Sequence, residues 1–170
     1  MTSQEKKLIT DFNFGVLSKE EFLKKYPVDV VNDKDYILLS IAEANNKKSA
    51  EDLEFALFLI LFNNDVIYRT GFDELICKLL KEDWHYKHEE LVLILQKLRS
   101  PKCVDTLYEI VFKKFDYLSY DDTYSLGRKC IHALGDINND EAKKKLELLS
   151  KSNVPILREK AEKQLLYYKH

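Results

Sequence analysis

His85, His88 and Glu89 are the residues of this chain whose types and spacing come closest to a chemical site. Two imidazoles and a carboxylate, with positions i and i+3 on one helix face, are donors that a transition metal accepts. A bound metal normally needs three or four such ligands in a fixed geometry, and His132 and His170 bring no acid at a matching spacing. The segment therefore reads as the polar start of a helix, and no metal ligand is assigned. Cys130 and His132 lie two apart on a predicted helix, so their side chains point to different faces and serve packing rather than a thiolate–imidazole pair. No GxSxG elbow and no glycine-rich phosphate loop occurs. The sequence offers no catalytic residues and no cofactor site, and the expectation is a protein that is not an enzyme.

Two other segments combine residue types suited to binding. Glu82-Asp83-Trp84-His85-Tyr86 and Asp116-Tyr117-Leu118-Ser119-Tyr120-Asp121-Asp122 each fall where one helix hands over to the next. Trp and Tyr give large contact areas at small entropic cost, and acids steer and pair with a basic partner. Glu82, Asp83, Trp84, His85, Tyr86, Asp116, Tyr117, Tyr120, Asp121 and Asp122 are therefore the candidate partner-binding residues.

The totals bound the rest. With 170 residues, 45% of them hydrophobic and 33% charged, the chain is one domain's length and can bury a sizeable core. Lys and Arg number 27 against 29 Asp and Glu, and a net charge of −2 argues against a nucleic-acid backbone as the direct partner. Cys77, Cys103 and Cys130 are too scattered for a disulfide framework and suit a reducing compartment. The opening MTSQEKKLITDF lacks the apolar core of a signal peptide, and the apolar run Phe55 to Phe62 is too short to span a bilayer. A cytoplasmic protein without membrane contact is expected.

Apolar residues recur with helical period almost throughout, and no strand alternation is visible. Ser18 with Glu21 predicts a capping box and a short helix ending before Pro27. Asn32 is the expected cap of the next helix, with Tyr36, Ile37, Leu39 and Ile41 inward, and Ser49 that of a nearly all-apolar helix reaching Phe62. Further helices are predicted from Phe72 to about Glu82 and from His85 to Leu98. One more, opened by Ser100-Pro101, runs to about Phe115 with Phe112 inward. Asp121 or Asp122 starts another that ends at Leu134-Gly135, where glycine can take the left-handed position. Asn139 caps a helix burying Ala142, Leu146 and Leu149, and Asn153-Pro155 opens the last. The Lys143-Lys144-Lys145 run is the wet face of its helix. Short loops between such helices make antiparallel pairs the natural packing.

The second half repeats itself. The stretch from Leu95 through Leu98, Cys103 and Leu107 to Ile110 aligns with the stretch from Leu134 through Ile137, Ala142 and Leu146 to Leu149 at a constant offset of 39 residues. Arg128-Lys-Cys-Ile-His-Ala-Leu-Gly-Asp-Ile137 resembles the HEAT-repeat consensus, and Arg158 to Leu165 resembles the first helix of a further repeat. The resemblance implies an all-α fold of antiparallel helix pairs stacked as a short HEAT-like solenoid. It gives one all-helical domain over 1–170, with HEAT-like repeats over 84–170 and a divergent helical part over 1–83.

A narrower likeness involves Trp84, His88-Glu89, Leu91 to Leu98, Pro101 and Arg128 to Ile137. In these the chain resembles HEAT-like immunity proteins of bacterial polymorphic-toxin and contact-dependent growth inhibition systems. That resemblance implies a cognate toxin domain as partner, and many such toxins are nucleases, whose active sites an inhibitor gains by filling with carboxylates. A HEAT-type scaffold or adaptor for another cellular protein is the alternative. A HEAT-fold enzyme is the third reading: a glycosylase is disfavoured by the near-neutral charge. An iron hydroxylase is disfavoured too, because those enzymes carry several His-Glu pairs and this chain has one.

Overall fold

In a computed structural model that describes residues 1–168, the chain is all-α, with ten α-helices and no strand among the described residues. His170 lies outside the described residues. The chain forms two compact units, Met1–Phe72 and the residues from Asp73 onward. The division falls at 72/73; the HEAT resemblance places the start of its repeats at residue 84.

The first unit holds α1 (Ser3–Asn13), α2 (Lys19–Lys25), α3 (Lys34–Lys47) and α4 (Ala50–Phe58). Side-chain caps fix their starts: capping boxes at Thr2/Glu5 and Ser18/Glu21, and Ser49 accepting from the Asp52 amide. The cap of α3 is Asp33 and not Asn32, because the Asn32 amide is spent on Asp29 at 2.7 Å while the Asp33 carboxylate accepts from Tyr36 N–H. Phe22 is the hub of the core, its ring 4.7 Å from Phe62, 5.0 Å from Tyr26 and 5.2 Å from Phe12. Ile37 and Ile41 are buried as expected, but Leu39 is 65% exposed. The helix expected to reach Phe62 stops at Phe58 and tightens into a 3₁₀ turn over Leu59–Leu61, leaving Leu61 outside.

The second unit is two layers of helices. α6 (His88–Leu98), α8 (Ser125–Ile137) and α10 (Pro155–Tyr167) pack side by side in one. The other holds α5 (Phe72–Leu80), α7 (Val104–Ile110) and α9 (Asp140–Leu149), α9 meeting α7. α8 is central, touching α6, α7, α9 and α10. The internal repeat is visible as structure: α6 ends at Leu98 and α8 at Ile137, each followed by a left-handed residue, Arg99 (φ 55°) and Asn138 (φ 51°). The aligned residues Leu95, Cys103, Leu107 and Ile110 are buried, as are Leu134, Ala142, Leu146 and Leu149.

Several boundaries differ from expectation for tertiary reasons. Gly135 does not end α8. A Cβ there would fall 2.0 Å from the Gln164 side chain, so the glycine lets α10 lie close against the helix interior. Ser100 makes no cap, since its hydroxyl donates to Asp73 at 2.7 Å, and Pro101 opens a 3₁₀ turn (Pro101–Cys103) before α7. α7 stops at Ile110, so Phe112 turns outward at 47% exposure. α8 begins at Ser125 rather than at Asp121 or Asp122. The Asp121 carboxylate caps it from outside, accepting the Ser125 amide at 2.6 Å. Val154, not Asn153, precedes Pro155 as the capping position of α10, and it has no side chain able to cap. Of the lysine run, Lys143 and Lys144 are exposed, while Lys145 bonds Asp105 at 2.7 Å and lies over the Tyr108 ring.

Asn139 accepts the Ala142 amide at 2.7 Å and satisfies a donor that α9 leaves open at its first turn. Asn139→Ala is expected to lower stability by about 1 kcal/mol, read as a shift of the urea midpoint at unchanged slope.

Candidate partner-binding surface

The two aromatic–acidic junctions lie 30 or so residues apart in sequence, yet the second unit joins them through one buried histidine. His88 opens α6 with its ring inside the core. Its Nε2–H donates to the Glu82 carbonyl at 2.7 Å, which leaves Nδ1 to accept the Tyr117 hydroxyl at 2.8 Å. The Phe115 ring centroid lies 3.6 Å from that of His88, and His85 stacks on the same imidazole at 4.4 Å. His85 is held the same way: Nδ1 accepts the Lys87 amide at 3.2 Å, so Nε2–H donates to the Leu79 carbonyl at 2.9 Å. His85 thus adds a second donor to a carbonyl of the last turn of α5, which also accepts the Glu82 amide, and His88 satisfies the Glu82 carbonyl two residues past the helix. Lys113 adds a third donor, to the Lys81 carbonyl, while its ammonium sits 4.7 Å from the Phe115 ring.

Because every ring nitrogen of His85 and His88 is engaged, neither is presented as a metal donor. Glu89 faces α8, where it accepts from Ser125 and pairs with Lys129 at 2.8 Å. Among the described residues no group of three or more His, Cys, Asp and Glu side chains is placed to hold a metal ion. His132, on α8, accepts the Gln164 amide at 2.9 Å through Nδ1. Cys130 lies in the core of α8.

Burial holds both histidines neutral, His88 down to about 4 and His85 below its ordinary value. An imidazole in the unfolded chain takes up a proton below about pH 6.5, while the folded His88 takes one only near 4. The depressed value therefore contributes full stability above 6.5, and it is lost as pH falls toward 4, on the order of 3 kcal/mol for His88. In His88→Gln the amide can still donate to the Glu82 carbonyl, and the slope of unfolding free energy across that window is expected to shrink. An unchanged slope would show that His88 does not carry it.

The remaining predicted residues divide between scaffold and surface. Trp84 stands edge-on to His85 at 4.8 Å, and its indole N–H is buried with no acceptor among the described residues. Tyr117 is half-buried, its hydroxyl pushed up to about 12 by burial. Asp121 is tied down by Thr123 and Ser125, and the Thr123 hydroxyl holds its carboxyl below the usual carboxylate range. Asp83, Asp116 and Asp122 are exposed and Glu82 is partly so. Tyr86 (67% exposed) and Tyr120 (81%) project into solvent, and Tyr86 meets Tyr117 edge-to-face at 5.2 Å. Beside them a cleft of about 220 Å³ runs between residues 111–122 and the start of α8, with Lys113, Lys114, Asp121 and Asp122 on its walls. The surface is thus aromatic and mixed in charge, not uniformly acidic.

Sequence reading missed His88, Phe115 and Lys113 as the parts that fasten the junctions together. The nearest signal was a histidine at the start of an apolar stripe, followed 27 residues on by an aromatic ending another. No helix among the described residues is long and apolar enough to cross a membrane. Comparison with family models, with curated proteins and with solved structures finds no match.

Proposed function

We propose that this chain is a HEAT-like immunity protein of the cytoplasm, which neutralises a cognate toxin domain by covering its active site or the path to it. The observation that carries the reading is the fusion of the Glu82–Tyr86 and Asp116–Asp122 junctions into one patch, with Tyr86 and Tyr120 exposed above a rigid buried cluster. Exposed tyrosines on a fixed base bind with little loss of side-chain freedom. Asp83, Asp116 and Asp122 around them favour the approach of a basic surface, which speeds capture of a partner. The cleft lined by Lys113 and Asp122 can take a polar side chain from that partner. The chain acts here by binding and not by catalysis.

The test is co-expression with the toxin encoded by the adjacent gene. Protection of the cells and co-purification of the two proteins are the expected results. A folded chain that neither protects nor co-purifies overturns the reading.

A further inference from the structure

Away from that surface, α5 and the segment that opens α7 are fastened side by side by a ladder of polar contacts. Ser100 donates to Asp73 at 2.7 Å, Lys102 to Glu74 at 2.9 Å, and Lys81 pairs with Glu109 at 2.6 Å. The rungs join residues 27 or 28 apart, so the two segments run parallel and in register. Between the upper and lower rungs, Cys77 on α5 faces Cys103 in the turn before α7, near enough for each sulfur to act on the other's protonation. Thr106, one turn further along α7, favours the Cys77 thiolate as well. Cys77 is partly exposed and Cys103 fully buried.

We propose that Cys77 and Cys103 are a redox pair that closes to a disulfide under a peroxide and staples α5 to the start of α7. The roles follow from the surroundings. Donors from Cys103 and Thr106 favour the Cys77 thiolate and lower its pKa, whereas Cys103, facing that sulfur in the core, is held as a thiol. Cys77 is also the less buried residue of the two.

The Cys77 thiolate attacks one oxygen of hydrogen peroxide. An S–O bond forms, the O–O bond breaks, and the departing hydroxide takes up the proton the thiol released, giving a sulfenic acid and water. The Cys103 sulfur then attacks the Cys77 sulfur. The S–S bond forms, the S–O bond breaks, and hydroxide leaves as water with the Cys103 proton. Two thiols are oxidised by two electrons and one peroxide is reduced to two waters. The sulfurs must close to bonding distance, and Cys103 sits in a 3₁₀ turn rather than within a regular helix, so the backbone there yields more easily.

The experiment is peptide mapping of the full chain under non-reducing conditions after titration with hydrogen peroxide. The expected result is a monomer lighter by two hydrogens, a cross-linked peptide joining Cys77 to Cys103, and reversal by dithiothreitol. The oxidised chain should melt several degrees higher, because the bridge restricts the unfolded ensemble. Cys77→Ser and Cys103→Ser should each lose the cross-link, and Cys130→Ser should keep it. Sulfinic acid accumulating on wild-type Cys77 without that cross-link, or a bridge between two chains in its place, overturns the proposal whether or not the variants fold.

Discussion

Leu134→Ala is expected to lower the free energy of unfolding by about 2–5 kcal/mol, the largest effect foreseen for any single residue of the second unit. Leu134 is fully buried near the C-terminal end of α8, the helix that touches α6, α7, α9 and α10. Truncation removes apolar contacts and leaves a cavity whose walls belong to several elements. Each of those elements is held elsewhere: α9 and α7 to each other by the Lys145–Asp105 pair, α10 by the Gln164–His132 bond, α6 by the Glu89–Lys129 pair. They cannot all move in to fill the space, so the cost should sit in the upper part of that range. Domains are typically stable by only about 5–15 kcal/mol, and the variant should lose much of its urea resistance. Leu93→Ala, at a half-exposed position on α6, is the matched control and should change little. A loss below about 1 kcal/mol for Leu134→Ala would mean that α8 is not the packed centre of the second unit.

The second large effect concerns binding. Tyr86→Ala and Tyr120→Ala should each weaken binding of the cognate partner at least tenfold, since buried interface tyrosines are commonly worth about 2 kcal/mol or more on truncation. Both side chains lie mostly in solvent in the free chain, so neither change should move the melting temperature appreciably. Tyr117 behaves differently because its hydroxyl is a structural donor to His88. Calorimetric titration of each variant against the co-purified toxin domain supplies the affinities, and thermal denaturation supplies the control. Unchanged affinity in both variants would remove this patch from the interface.

Local chemistry was legible in the sequence and tertiary competition was not. Ser18, Ser49 and Asn139 cap as their spacing predicts, because a cap needs only its own first turn. Asn32 and Ser100 carry equally suitable side chains, but each is claimed elsewhere: Asn32 by Asp29, Ser100 by Asp73 from α5. Leu39 and Phe112 show the limit of periodicity, which gives a face but not whether anything covers it. Gly135 read as a helix end because glycine takes left-handed conformations freely. The structure uses its missing side chain instead, and gives the left-handed position to Asn138. The 39-residue offset marked the ends of α6 and α8 together, because both obey the same packing requirement. At the candidate surface, residue types identified both junctions. Their union through His88 depends on a hydrogen bond across 29 residues, which no local pattern records.

The main helix contacts of the second unit share one property, which bears on how fast it forms. α8 meets α6, α7, α9 and α10, α9 meets α7 and α10, and every one of these pairs is adjacent or next-but-one along the chain. Closing such contacts requires only short loops, so the entropy lost before each contact forms is small. Chains with this arrangement fold in microseconds to milliseconds, and a nucleus on α8 can grow toward either end.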